Sequence, residues 1–179
     1  MLLVRPAVME DVPQIARVHV DSWRSTYSGI LSEHFLAAMS YEDFKAHWRD
    51  WIGGEFGVPG ISYVAELPAG GIVGFASGGP LQEESNYLEY EGQLYTAYLL
   101  RQHQRRGLGR RLLGAVAKGL LADGKHSMLA WVLAENPSRA FYEAVGGKLL
   151  GSQKIEIGGA ALKEVAYGWN DINHLASFT

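Results

Sequence analysis

The chain has 179 residues, 16 Lys and Arg against 19 Asp and Glu, a formal net charge of -3 and 47% hydrophobic residues. This balance excludes a disordered or collagen-like chain, argues against a general nucleic-acid binder, and allows one full core that buries roughly 70% of the unfolded surface without a staple. With no cysteine there is no disulfide framework, thiolate nucleophile or Cys-based metal site, and a cytoplasmic address is the default expectation.

No run approaches the ~18 consecutive apolar residues of a membrane helix, so no membrane partner is expected. The opening residues also lack the basic flank and long apolar stretch of a signal peptide. Leu2–Val4 reads as a short strand ended by Pro6. Met9–Ser22 reads as a helix with Val12, Ile15, Ala16, Val18 and His19 near one face, Asp11 as a cap and Pro13 in the first turn. Ser32–Ala38 and Tyr41–Ile52 read as two further short helices. Ile61–Glu66 and Ile72–Ser77 form a hairpin around the turn at residues 68–71. Leu81–Gly92 is polar and acidic, and Gln93–Leu100 reads as a central strand. Gly107–Asp123 is the clearest helix, with Leu108, Leu112, Leu113, Val116, Leu120 and Leu121 at helical spacing. Met128–Leu133 reads as a buried strand and Pro137–Val145 as a helix stopped by glycines. Lys148–Ile157 and Ala161–Trp169 close the chain as a hairpin. This order predicts one α+β layered domain over residues 1–179, with a mixed sheet.

The most informative segment is Gln104-Arg105-Arg106-Gly107-Leu108-Gly109-Arg110, where a strand runs through a glycine turn into a helix. The first turn of a helix has unpaired N–H groups and a partial positive charge. Glycines let backbone approach an anion, and five arginines between Arg101 and Arg111 add formal charge. The segment therefore suits a phosphate, and a ligand bearing a pyrophosphate is the natural guest. The alternative is a plain turn with a solvated helix start. No Gly-Lys-Ser/Thr follows, and Leu112 replaces the third glycine of a dinucleotide fingerprint.

These residues resemble the central Arg/Gln-x-x-Gly-x-Gly/Ala motif of the GNAT superfamily of acetyl-CoA-dependent N-acetyltransferases. The preceding Gln93–Leu99 run is similar to that family's fourth strand, and the element order agrees along nearly the whole chain. The resemblance implies a six- to seven-stranded, mostly antiparallel sheet flanked by helices. It implies acetyl-CoA as donor, its pyrophosphate on the amides of the turn, and its arm along Ala97, Tyr98, Leu99 and Leu100.

A second constellation runs from Trp131 to Tyr142. Alone, Asn136 and Pro137 read as a helix cap and first helical residue, and Phe141 and Tyr142 as core aromatics. The resemblance instead implies that Asn136, with Ser138 and Arg139 beside it, contacts the coenzyme arm and that Tyr142 protonates the departing thiolate. Many members of the family place a glutamate fourteen residues before the first glycine of the turn; here that position is Gln93, which cannot act as a base. Glu91 is the first substitute, with Glu89, Glu83, Glu84, a water chain, Tyr95 and His103 behind it. The acidic Leu81–Gly92 segment is either a solvated loop or a carboxylate wall that attracts a cationic, polyamine-like amine. Trp23 and Tyr27, four apart on one helix face, are either a core staple or an aromatic wall against the acceptor, beside Gln93 and Tyr95. The six histidines show no ligand spacing, so no metal is expected. The remaining alternatives are a non-catalytic acyl-CoA sensor, favoured by Gln93, and a nucleic-acid module using the arginines, which their coincidence with the phosphate motif argues against. The closing hairpin offers an edge on which a second copy could pair as a homodimer.

Overall fold

The computed structural model describes residues 3–55, 57, 60–82 and 85–178. In chain order the elements are β1 (Leu3–Pro6), α1 (Val12–Thr26), α2 (Glu33–Ala38), α3 (Tyr41–Gly53), β2 (Ile61–Glu66), β3 (Ile72–Pro80), β4 (Gly92–Leu99), α4 (Leu108–Ala122), β5 (Met128–Leu133), α5 (Arg139–Ala144), β6 (Lys148–Ile157), β7 (Ala160–Trp169) and α6 (Asn173–Ala176). Among the described residues seven strands form one sheet in the order β1-β2-β3-β4-β5-β7-β6. Only β4 and β5 run parallel. The expected mixed, mostly antiparallel sheet is thus present.

Hydrophobic spacing explains the layers. The leucine stripe of α4 packs with Ala76, Leu94, Ala130 and Val132 on one face of the sheet. The apolar face of α1 packs with Trp48 of α3 and with Val64 and Phe75 on the other. Helix α6 was absent from the sequence expectation because four residues carry no periodic pattern. It is held by Leu175, fully buried against α4, where Gly114 leaves room for the backbone carbonyl of Leu175.

The register of β4 breaks its own alternation. Ser77 pairs with Thr96 and Gly78 with Leu94, so Tyr95 is an extra residue in β4. A bulge of this kind re-aims the side chains beyond it. It lets Leu94 and Ala97, three apart, both join the α4 face, while Tyr98 turns to α1.

The α1 face holds a buried histidine. His19 is 6% exposed, accepts at Nδ1 from Trp48 Nε1 at 3.1 Å and stacks on Tyr98 with centroids 5.2 Å apart. Burial, with a smaller contribution from His47, pushes its pKa down to about 3. The unfolded chain would protonate His19 near the ordinary ~6.5. Acidification therefore favours the unfolded state, and this part of the stability is complete above about pH 6.5 and shrinks between there and about pH 3. The urea midpoint should fall between pH 7 and pH 5, and fall less in His19→Gln. A midpoint that is level over that range would contradict the buried, neutral imidazole.

Candidate active site

The site starts where two strands part. Strands β4 and β5 pair only at Gly92 with Met128, Gln93 with Leu129 and Leu94 with Ala130. Beyond that point β4 stays with β3 as far as Leu99, and β5 stays with β7 as far as Leu133. Tyr95–Leu99 therefore lacks a strand on one side. The Leu100 amide donates to the Val73 carbonyl at 2.9 Å. Peptide groups alternate in direction along a strand, so the amides of Ala97 and Leu99 face the gap. Backbone groups left without a ladder need another partner.

Two cavities meet at this edge, and Ala97, Tyr98, Leu99, Gln104, Ser138 and Tyr142 line both. The larger, about 720 Å³, runs between α4 and α5 and reaches Arg105, Gly107, Gly109, Arg110 and Phe141. Its floor is the glycine turn. Arg105 has φ 61 and Gly107 φ 81, a left-handed conformation that glycine adopts without strain. No side chain caps the start of α4, so the amides of Leu108, Gly109 and Arg110 have no intrahelical acceptor. A Cβ on Gly109 would lie 3.3 Å from Phe141, so glycine here sets the close approach of α4 and α5. The Leu108 side chain is buried in the core, which leaves only its amide for a ligand.

Tyr142 sits at the shared lip. Its ring stacks on Tyr167 with centroids 5.8 Å apart, and burial raises its phenol above the ordinary value. The group therefore stays protonated at neutral pH. Asn136 Oδ1 accepts from the Ser138 amide at 2.8 Å, which caps the turn before α5. Its Nδ2 donates to the Tyr27 hydroxyl at 3.3 Å, which is 3.4 Å from the Tyr98 hydroxyl. Asn136 thus makes the capping contact and lines the smaller cavity, but not the larger one.

The smaller cavity, about 270 Å³, lies on the α1 side of the fork. Trp23 and Tyr27 line it, and Tyr95 contributes at its edge with its hydroxyl turned to the Pro80 carbonyl at 2.5 Å. Thr26, Trp131, Ile155, Ile157 and Glu164 also line it and were not anticipated. The alternation in β6 signalled that Ile155 and Ile157 share a face. Nothing in the local sequence says that the closing hairpin folds back over α1.

Several expected residues are not brought here. Glu91 requires correction as the base: its Oε2 accepts from the His126 amide at 2.5 Å, at the paired end of β4. It lines neither cavity. Gln93 is 5% exposed, is tied to Gln82 and lines neither cavity. Arg139 donates to the Ala134 carbonyl and the Tyr167 hydroxyl; it braces the α5 turn rather than the cleft. Arg106 and Leu100 line neither cavity. Glu89 is exposed and His103 lines neither cavity, while Glu83 and Glu84 lie outside the described residues. The described acidic residues 89 and 91 and the arginine turn thus lie at opposite ends of β4.

Among the described residues no three His, Asp or Glu side chains gather as metal ligands would. None of the described helices is long and apolar enough to cross a membrane.

Comparison with known proteins gives the class to which this fold belongs. The family model of FR47-like protein matches residues 74–155. YuaI, an uncharacterised N-acetyltransferase of Bacillus subtilis (strain 168), is 41% identical over 175 residues, which cover 98% of this chain and 96% of that one. The chain belongs to the GNAT superfamily of N-acetyltransferases. Among solved structures, PaiA N-acetyltransferase from Thermoplasma acidophilum in complex with coenzyme A shares the fold with a TM-score of 0.72 at 20% identity, over 92% of this chain and 98% of that one. YncA of Salmonella typhimurium, a putative acetyltransferase with acetyl-CoA, gives 0.69 at 19% identity over 94% and 93%.

Proposed function

We propose that the whole chain, as one domain, transfers the acetyl group of acetyl-CoA directly to a primary amine of a small molecule or peptide. The carrying observation is the unpaired Tyr95–Leu99 edge flanked by an uncapped helix start. An edge with free amides suits the amide-bearing arm of coenzyme A, which can pair as a strand would. The helix start suits its pyrophosphate. Acetyl-CoA supplies an activated thioester. The amides of Leu108, Gly109 and Arg110, with the guanidinium groups of Arg105 and Arg110, hold the diphosphate. The Leu99 amide donates to the thioester oxygen and favours the charge that grows there. Tyr142 donates its proton to the sulfur as the carbon–sulfur bond breaks, so that the leaving group does not depart as a bare thiolate. Positioning two reactants at one lip supplies much of the remaining acceleration. A cytoplasmic address, suggested by the absence of cysteine, completes the proposal.

No carboxylate occupies the strand position where many relatives place a base. The amine should then react as its free base, and log kcat/KM should rise with slope near one up to the pKa of the amine. A thiol-release assay over an amine panel, run from pH 7 to pH 10, tests both points. The rival is an acyl-CoA sensor, favoured by Gln93. Coenzyme A binding without thiol release from any amine at pH 10 would select the sensor, and absence of coenzyme A binding would reject both.

A further inference from the structure

The acceptor cavity carries a charge pattern that narrows its guest. Among the described residues that line it, Glu164 is the single charged side chain; no Lys, Arg or His is present. Glu164 lies on β7 between Leu133 of β5 and Gln153 of β6. Its Oε1 accepts from Gln153 Nε2 at 2.7 Å, a neutral partner that orients the carboxylate without cancelling its charge. It forms no ion pair among the described residues. The two nearest lysines in the hairpin, Lys154 and Lys163, pair with each other one position along. Strand alternation places them on the opposite face from Glu164. The hairpin thus puts a carboxylate inside and its cations outside. The rings of Trp23, Tyr27, Tyr98 and Trp131 line the same cavity, and aromatic faces attract a cation.

We propose that this cavity selects a cationic amine that carries no carboxylate, with Glu164 as the specificity-determining residue. The proposal rests on the acyl-transfer function above and names the acceptor class for it. An alkyl or arylalkyl ammonium finds an anion and aromatic faces. The zwitterion of an amino acid brings a second anion into a wall that offers no cation to meet it. Selectivity of this kind comes as much from the unmatched group as from the matched one. Glu164, Ile155 and Ile157 line the acceptor cavity and not the coenzyme cavity, so the carboxylate acts on the acceptor without facing the coenzyme's phosphates.

The test compares amines with their own carboxylated forms. Binding is followed by the fluorescence of the cavity tryptophans, with and without coenzyme A, and turnover by thiol release. The probes are 2-phenylethylamine, phenylalanine and phenylalaninamide, which keeps the bulk of the amino acid and removes its charge. The amine and the amide should bind about 30-fold or more tighter than phenylalanine, the order of effect that an unmatched charge produces. Glu164→Gln should lower that preference by about tenfold, because it removes the repulsion that only the carboxylate of phenylalanine meets while all three probes lose the same attraction to their ammonium, and Glu164→Lys should move it toward the amino acid. A coenzyme A titration of each variant checks that the fold is intact. Equal binding of amine and amino acid, or a preference untouched by Glu164→Gln, would overturn the assignment. Failure of acyl transfer itself would show separately, as selective amine binding without thiol release.

Discussion

Replacing Tyr142 with Phe should lower kcat by a hundredfold or more while changing the apparent affinity for acetyl-CoA by no more than about threefold. General-acid assistance contributes ~10²- to 10⁴-fold in rate, whereas the phenol oxygen adds little to a ground state held, as proposed, by backbone amides and the glycine turn. The ring should stay in place, because it is held by stacking on Tyr167 and an edge contact to Trp169 with centroids 6.2 Å apart. Burial raises the phenol's pKa, so the wild-type enzyme should show no loss of kcat from deprotonation of this group as pH rises to 10. Steady-state kinetics with a good acceptor, paired with a pre-steady-state burst experiment, decide the matter. If chemistry limits turnover and the variant turns over like the parent, another donor serves the thiolate.

Reversing the charge of Arg110 should separate binding from folding. Arg110 lies in the first turn of α4 and lines the coenzyme cavity. A glutamate there is favoured by the helix dipole, by ~0.3–1 kcal/mol. The lost cation–π contact to Phe178, now at 5.6 Å, costs about as much, ~0.5–1 kcal/mol at an exposed site. The melting temperature of Arg110→Glu should therefore stay within a few degrees of the parent. Coenzyme A affinity should fall about 30- to 100-fold, since a charge-assisted hydrogen bond is worth ~1.5–3 kcal/mol and is here replaced by repulsion. Calorimetry against coenzyme A and against 3′-dephospho-coenzyme A locates the loss. A variant that binds both as the parent does would place the diphosphate elsewhere.

Much of this was legible in the residues because it rests on local physics. The glycine turn announces itself through spacing, and Arg105 with Gly107 adopts the left-handed backbone that such a turn requires. The leucine stripe gives α4 and its buried face. Trp23 and Tyr27, four apart, both line the smaller cavity as helical geometry allows. What depended on the third dimension was less accessible. Whether Glu91 faces the cleft is set by where β4 and β5 part, three residue pairs along, and no sequence pattern marks that position. The bulge at Tyr95 shifts later side chains by one face, so alternation counted along Gln93–Leu100 misassigns half of them. Glu164 is 22 residues beyond Tyr142 in sequence and enters the site only because the closing hairpin turns back across α1 and α2.

The narrow seam between β4 and β5 has a mechanical consequence. Among the described residues three pairs join β4 to β5, and beyond them the four-strand and three-strand halves are held together by the α4 leucines and the Asn136–Tyr27 contact instead of by ladder bonds. A guest that hydrogen-bonds along the free margin fastens the seam further out. A donor bound there as proposed would supply the ladder that β5 does not, and so complete the sheet across the gap.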